Sequence, residues 1–210
     1  MDTTEKTSDR REQLVSTALR LIYQGGIHAT GIDTILAESG VAKMTLYKYF
    51  RTKEELVVAA LRKWSDTWHE WFGREVTGRS VDPRERLLAV YDAIGIFIHN
   101  GGPWAALTDR FSGCPFINAA GEFSDAAHPI HALGAEHKRR TLGFIENLAR
   151  QAGARDPSAL ASSLALLAEG AVVMAHAAGV ADAAERARRA AQILIASELG
   201  PSSTPVASIR

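Results

Sequence analysis

Residues 31–56 read GIDTILAESGVAKMTLYKYFRTKEEL, and the fold follows from this stretch. Ile32, Ile35 and Leu36 share one face of a short helix that begins near Thr30. Gly40 stops that helix, Ser39-Gly40-Val41 makes a tight turn, and a third short helix covers about Lys43 to Phe50. Two short helices joined this way form the helix-turn-helix plan, whose second helix is presented to a DNA major groove. The charge pattern agrees: no acid lies between Glu38 and Glu54, while Lys43, Lys48, Arg51 and Lys53 are basic. Tyr47 and Tyr49 interleave with the cations and Thr45 adds a hydroxyl, side chains of the types that reach phosphates and base edges. Leu46 and Phe50, four apart, face back to the core and orient the helix. The alternative is an ordinary solvated basic face, with Tyr47 and Tyr49 merely packing.

Outward from this stretch the punctuation reads helix after helix, with almost no strand pattern. Upstream, Asp9-x-x-Glu12 is a capping pair for helix 1, which carries Leu14, Ala18, Leu21 and Ile22 and stops at Gly25-Gly26. Downstream, Thr52 to Glu55 is a capping box that opens a long helix through Trp64, Trp68 and Trp71. Asp82-Pro83-Arg84-Glu85 starts the next, with Leu87, Tyr91, Ile94 and Ile98 inward and a stop at Asn100 to Pro103. Gly113, Pro115 and Gly121 break any long helix between Trp104 and Phe123. His128-Pro129 opens a helix running to Gly153, Asp156-Pro157 one ending near Gly179, and Asp182-x-x-Glu185 the last, ended by Gly200-Pro201. The expectation is an all-α chain of about nine helices, three short ones first. The domains follow as a helix-turn-helix head over 1–52, a larger helical domain over 53–199, and a disordered tail over 200–210.

Composition excludes several classes. The 210 residues suffice to bury roughly 70 % of the unfolded surface without metals or disulfides. A single cysteine, Cys114, rules out a disulfide framework and any multi-cysteine zinc site. Glu169, Asp156 and Asp182 leave uncharged runs too short for a membrane span, and the polar start MDTTEKTSDRRE has no apolar signal region, so the expected location is cytoplasmic. The 24 basic and 24 acidic residues balance, which argues against a whole-protein nucleic-acid coat and leaves room for a local basic patch.

The segment Gly40-Val41-Ala42-Lys43-x-Thr45-Leu46-Tyr47-x-Tyr49-Phe50-x-x-Lys53-Glu54-x-Leu56 resembles the TetR family of bacterial transcriptional regulators, over about residues 9–60. The resemblance implies a homodimer with two DNA-binding heads and a C-terminal domain that binds a small effector and releases DNA. It assigns Lys43, Thr45 and Lys48 to base or near-base contacts and Tyr47, Tyr49 and Lys53 to phosphates. Two positions depart from the family pattern. Ala42 stands where serine is usual, removing a helix cap worth about 1 kcal/mol, and Met44 stands where a small residue is common and reaches the groove. The partner is then a pseudo-palindromic double-stranded operator, read by heads about 34–36 Å apart.

The effector is less legible. Trp68, Phe72, Tyr91, Phe97, Trp104, Phe111, Phe116, Phe144 and Met174 are candidate pocket walls, an apolar and aromatic set that suits an apolar or aromatic ligand. Trp64, Trp68 and Trp71 share one helix face and read first as core. The Ala-rich segments 160–178 and 183–199, with Leu160, Leu164, Leu167, Met174, Ile193 and Leu194, suit a four-helix dimer interface formed within residues 157–199. Of seven histidines, His128, His131 and His137 are the nearest to a metal pattern, but they lack carboxylate partners, so no metal or cofactor is expected. His69-Glu70 is followed by Gly73 rather than a second histidine, and no nucleophile elbow, phosphate loop or dinucleotide fingerprint occurs, so an enzyme is not expected.

Cys114 carries two readings. It lies in Arg110-Phe-Ser-Gly-Cys-Pro-Phe116 at a break between helices. Some members of the resembled family sense electrophiles or oxidants through a cysteine after a glycine in a similar place, and Arg110 or a helix start at Pro115 could supply the stabilised thiolate this needs. The other reading is a small buried hydrophobe between Phe111 and Phe116.

Overall fold

A computed structural model describes residues 3–106, 108 and 110–200, with side chains from residue 9 onward. Among the described residues there are nine α-helices and no strand: α1 Thr3–Gly25, α2 Ile32–Ser39, α3 Lys43–Tyr49, α4 Lys53–Gly78, α5 Pro83–Asn100, α6 Pro115–Glu122, α7 Pro129–Gln151, α8 Pro157–Ala178 and α9 Ala183–Leu199. A single 3-10 turn, Gly102–Trp104, follows α5. The expected tail lies outside the described residues except Gly200, whose carbonyl receives a hydrogen bond from Arg84.

The starts of α4, α5 and α8 follow from local chemistry. Glu55 N–H donates to Thr52 Oγ1 at 3.2 Å, while the Glu55 carboxylate reaches back to the Arg51 N–H at 2.8 Å, one residue before the usual capping-box donor. The Asp82 carboxylate accepts the Arg84 N–H at 2.9 Å, and that of Asp156 accepts the Ala159 N–H at 3.0 Å.

Three expectations are corrected. Helix α1 starts at Thr3, not at Asp9, because residues 3–8 contain neither glycine nor proline and continue the helix; the first helix is therefore long. Glu12 makes no cap and instead pairs with Lys63 and accepts from Ser16 at 2.9 Å. Asp182 precedes α9 but does not cap it, since its carboxylate is held by Arg186 at 2.9 Å; that guanidinium keeps the Asp182 carboxyl below its usual range.

The helices gather into two compact units, one of residues up to 71 with 97–139, the other of 72–96 with residues from 140 onward. In the first, α1 packs on α2 and α3, and Leu14, Ala18, Ile35, Leu46, Leu56 and Leu61 are fully buried. Beyond them Trp64 stacks between Tyr23 and Trp104, with ring centroids 4.7 Å apart on each side. In the second unit α8 packs on α9. Its core includes Leu87, Ile145, Leu148, Leu160, Leu164, Ala191 and Ile195, and the Tyr91 hydroxyl donates to the Leu164 carbonyl at 2.9 Å. Burial pushes the Tyr91 phenol well up, so it remains a neutral donor.

Helix α8 is long and apolar enough to cross a membrane by length and composition, contrary to the expectation from its charges. Leu160, Ala161, Leu164 and Ala168 instead lie in the protein interior.

The two aspartates before α8 and α9 make opposite predictions. Asp156→Ala removes a cap and lowers stability by about 1 kcal/mol in equilibrium denaturation. Asp182→Ala removes only an exposed ion pair and leaves the unfolding midpoint unchanged.

Candidate nucleic-acid interface

Gly40 ends α2 at φ +63°, with its N–H on the Leu36 carbonyl at 3.0 Å; this left-handed conformation lets the chain reverse within three residues. Buried Ser39 braces the turn, its hydroxyl accepting the Val41 N–H at 3.3 Å. Ala42 caps α3 by backbone alone, as expected from the missing serine. Val41, Leu46 and Phe50 are buried and fix the rotation of α3.

That rotation decides which sequence candidates reach solvent. Lys43, Met44, Tyr47 and Lys48 stand on the exposed side, Met44 at 87 % and Tyr47 at 47 % of full exposure. Thr45 and Tyr49 are half-buried, with Tyr49 edge-on to Phe50 at 6.5 Å. Lys43 forms a long, exposed pair with Asp33 at 3.7 Å. Lys53 differs from the others: its Nζ donates to the Ile27 carbonyl at 2.6 Å, so it ties α4 to the loop between α1 and α2. Arg11, unnoticed in the sequence, lays its guanidinium over the Phe50 ring at 5.3 Å.

The proposed pocket walls divide between the two units. In the first, Phe97 packs edge-on against Trp68 at 4.8 Å and Phe111 at 5.1 Å, while Trp104 and Phe116 are buried. Phe116 stacks on His137 at 4.2 Å, and His137 Nδ1 lies 3.0 Å from the Ser65 hydroxyl. In the second unit Phe72 and Phe144 meet at 5.6 Å, and Tyr91 has its hydroxyl on a core carbonyl. Met174 is 49 % exposed on α8, which places it on an outer face. His69 and His137 form a ring contact at 4.7 Å that no sequence spacing announces, since 68 positions separate them.

Cys114 is buried at the N-cap of α6. The cation beside it is Lys138, whose Nζ lies 3.5 Å from Sγ. Arg110, the cation expected from the sequence, donates to the Gln24 carbonyl at 3.2 Å instead. Lys138 is two turns into α7, a neighbour only in the folded chain. Among the described residues no three metal-ligating side chains come together.

The model of "Bacterial regulatory proteins, tetR family" matches residues 14–60, and that of "Tetracyclin repressor-like, C-terminal domain" matches residues 83–191. The HTH-type transcriptional regulator YjdC of Escherichia coli (strain K12) is 27% identical over 161 residues, 77% of this chain and 80% of that protein. The HTH-type transcriptional repressor NemR of the same organism is 27% identical over 138 residues, 65% of each chain. A solved TetR-family transcriptional regulator from Streptomyces coelicolor matches with a TM-score of 0.81 at 29% identity, over 91% of this chain and 97% of that one.

Proposed function

The chain belongs to the TetR family and is a DNA-binding transcriptional regulator; from that premise we propose a cytoplasmic, homodimeric repressor released from its operator by a small apolar or aromatic effector. The head is residues 1–52 and the effector and dimerisation domain residues 53–199. The observation that carries the reading is the exposed face of α3, where Lys43, Met44, Tyr47 and Lys48 project while Leu46 holds the helix from behind. Lys43 and Lys48 serve the groove and its phosphates, Met44 and Thr45 the base edges, and Tyr47 and Tyr49 the backbone. Lys53 acts at one remove, fixing the head loop. The name of the relative NemR supports a repressor. The aromatic side chains around Trp68, Phe97 and Phe111 support an apolar effector. No catalytic role is proposed.

Dimerisation is assigned to α8 and α9, through Met174, Ile193 and Leu194 of the expected set but not through Leu160 or Leu164. Leu160 and Leu164 are buried within the protomer. The apolar side chains left outside are Leu166, Val173 and Met174 on α8 and Ile193 and Leu194 on α9. Gly170 lies on the same α8 stripe with open space beyond it, and a glycine inside a helix suits the close approach of a second backbone.

A second reading rests on Cys114. The Lys138 Nζ lies 3.5 Å from its Sγ, and in this reading an electrophile or oxidant acts at the thiol in place of a reversible effector.

Three measurements test these assignments. With a duplex selected by the wild-type protein from a randomised pool, Lys43→Ala with Lys48→Ala lowers affinity and reduces the slope of log affinity against log salt by about 2. Unchanged affinity and slope would remove α3 from the interface. Leu166→Arg and Ile193→Arg, both at exposed sites, give folded monomers in sedimentation, a loss of about 2 kcal/mol or more of dimer stability. Dimers of unchanged tightness would move the interface elsewhere. In the native dimer at neutral pH, iodoacetamide labels Cys114 within minutes, Lys138→Met slows labelling, and modified protein releases the duplex while Cys114→Ser stays bound. Labelling only after denaturation leaves Cys114 as packing.

A further inference from the structure

Glu122, the last residue of α6, holds the loop between α1 and α2 from 94 and 95 positions away in sequence. One carboxylate oxygen accepts the Ile27 N–H at 2.8 Å. The other accepts the His28 N–H at 2.6 Å and faces His28 Nδ1 at 2.8 Å. Gly26, at φ +89°, lets the backbone come close: a Cβ there would lie 3.2 Å from the same carboxylate. The opposite side of residue 27 is also held, its carbonyl accepting from Lys53 Nζ at 2.6 Å. The loop that leads into α2 and α3 is thus fixed from α6 and α4 together.

Two histidines frame this grip. The His28 ring stacks on Phe123 at 4.8 Å, and Phe123 stacks on His128 at 4.4 Å. His128 Nδ1 accepts the Ile130 N–H at 3.3 Å, which leaves its Nε2 as the proton-bearing atom, and Nε2 faces Glu54 Oε1 at 3.4 Å. The row therefore runs Glu122, His28, Phe123, His128, Glu54, from α6 to the first turn of α4. The other charged or titratable groups around it are Lys53 on the Ile27 carbonyl, Asp125 before His128, His131 on the Phe123 carbonyl and Arg110 on the Gln24 carbonyl.

We propose that Glu122 is a positioning residue for the DNA-reading head, and that His28 and His128 make its hold on residues 26–28 proton-dependent. This deepens the regulator reading and rests on it for the head's role. A neutral His28 ring already donates a hydrogen bond from Nδ1 to Glu122, whereas His128 only approaches Glu54. Protonation turns both contacts into charge-assisted pairs and places two cations against the faces of Phe123. The clamp is tighter with both rings protonated than with both neutral. It fails only in stronger acid. Burial pushes the Glu122 carboxyl up, but the Ile27 and His28 N–H groups and the His28 ring outweigh burial and hold it below the usual carboxylate range. Its contribution is therefore present above about pH 4.3 and is lost as pH falls through its lowered value.

The test is amide hydrogen exchange of the full-length protein, read as protection of the Ile27 and His28 amides relative to unstructured chain at the same pH. In the wild type, protection at about pH 5.5 exceeds that at about pH 8 by roughly three- to tenfold, the range expected of two partly exposed ion pairs. His28→Gln with His128→Gln, at an exposed and a half-buried site, flattens that ratio while far-ultraviolet circular dichroism stays unchanged. Glu122→Gln loses the protection at both pH values. A wild-type ratio near one, or the same ratio in the double variant, overturns the proposal. This readout uses no DNA, so its failure leaves the regulator reading standing. Failure to select or bind any duplex overturns that reading and leaves the exchange result to be judged separately.

Discussion

A seven-residue helix has no stability of its own in water, because helices shorter than about 12–15 residues are marginal even with favourable sequences. Helix α3 therefore exists only as long as Leu46 stays buried where α3 packs on α1. Full burial of one leucine is worth about 1.5–3 kcal/mol, enough to decide between one rotation of a short helix and another. With Leu46 inward and Phe50 one turn later on the same side, the helical period forces Met44, Tyr47 and Lys48 outward. The exposed face is thus a consequence of the buried one. Gly40 supplies the other half of the constraint, since only its left-handed backbone brings α3 back onto α1.

What could be read before folding was whatever acts within one turn of the chain. Asp82, Asp156 and Thr52 cap the helices that follow them because the donor lies two or three residues away. Asp182 shows the limit: it has the right neighbours, but Arg186, one turn on, competes for its carboxylate and wins. Periodicity placed apolar residues on α8 but not their phase. Leu164 and Leu166 differ by two positions, about 200° on a helix, and only packing on α9 decides that the first is buried and the second exposed. Contacts across the fold left no local trace at all. Lys138 beside Cys114, His137 beside Ser65 and Glu122 on the 27–28 backbone join residues 24 to 95 positions apart.

The balanced net charge also takes on meaning only in the fold. Arg20 with Glu38, Lys63 with Glu12 and Arg188 with Asp92 are paired across helices, and Arg155, in the connection before α8, pairs with Glu198. Exposed pairs of this kind contribute at most about 1 kcal/mol each, so stability comes mainly from the buried aromatic and aliphatic side chains. The pairs have a different consequence. The first two neutralise charges on α1, α2 and α4, while α3 itself carries no acid and keeps Lys43 and Lys48 exposed to solvent. A neutral protein thereby presents a local positive face, the arrangement a DNA reader needs if it is not to coat itself in nucleic acid.

Helix α6 joins these themes. Its eight residues span about 12 Å, too short to bend appreciably, and both ends are tied to the same neighbourhood of the first unit. At its start the Ser112 N–H donates to the Tyr23 hydroxyl at 3.0 Å, and the Asn118 amide returns to the Ser112 carbonyl at 2.9 Å. Burial pushes the Tyr23 phenol up to about 12, so this oxygen stays neutral and the tether does not titrate at physiological pH. At its end Glu122 holds residues 27 and 28, four and five positions beyond Tyr23. The two tethers thus differ in kind: the first is insensitive to protons, the second is built from a carboxylate and an imidazole. A short helix held at both ends cannot shift at one without straining the other, so Glu122 couples the position of α6 to residues 27 and 28.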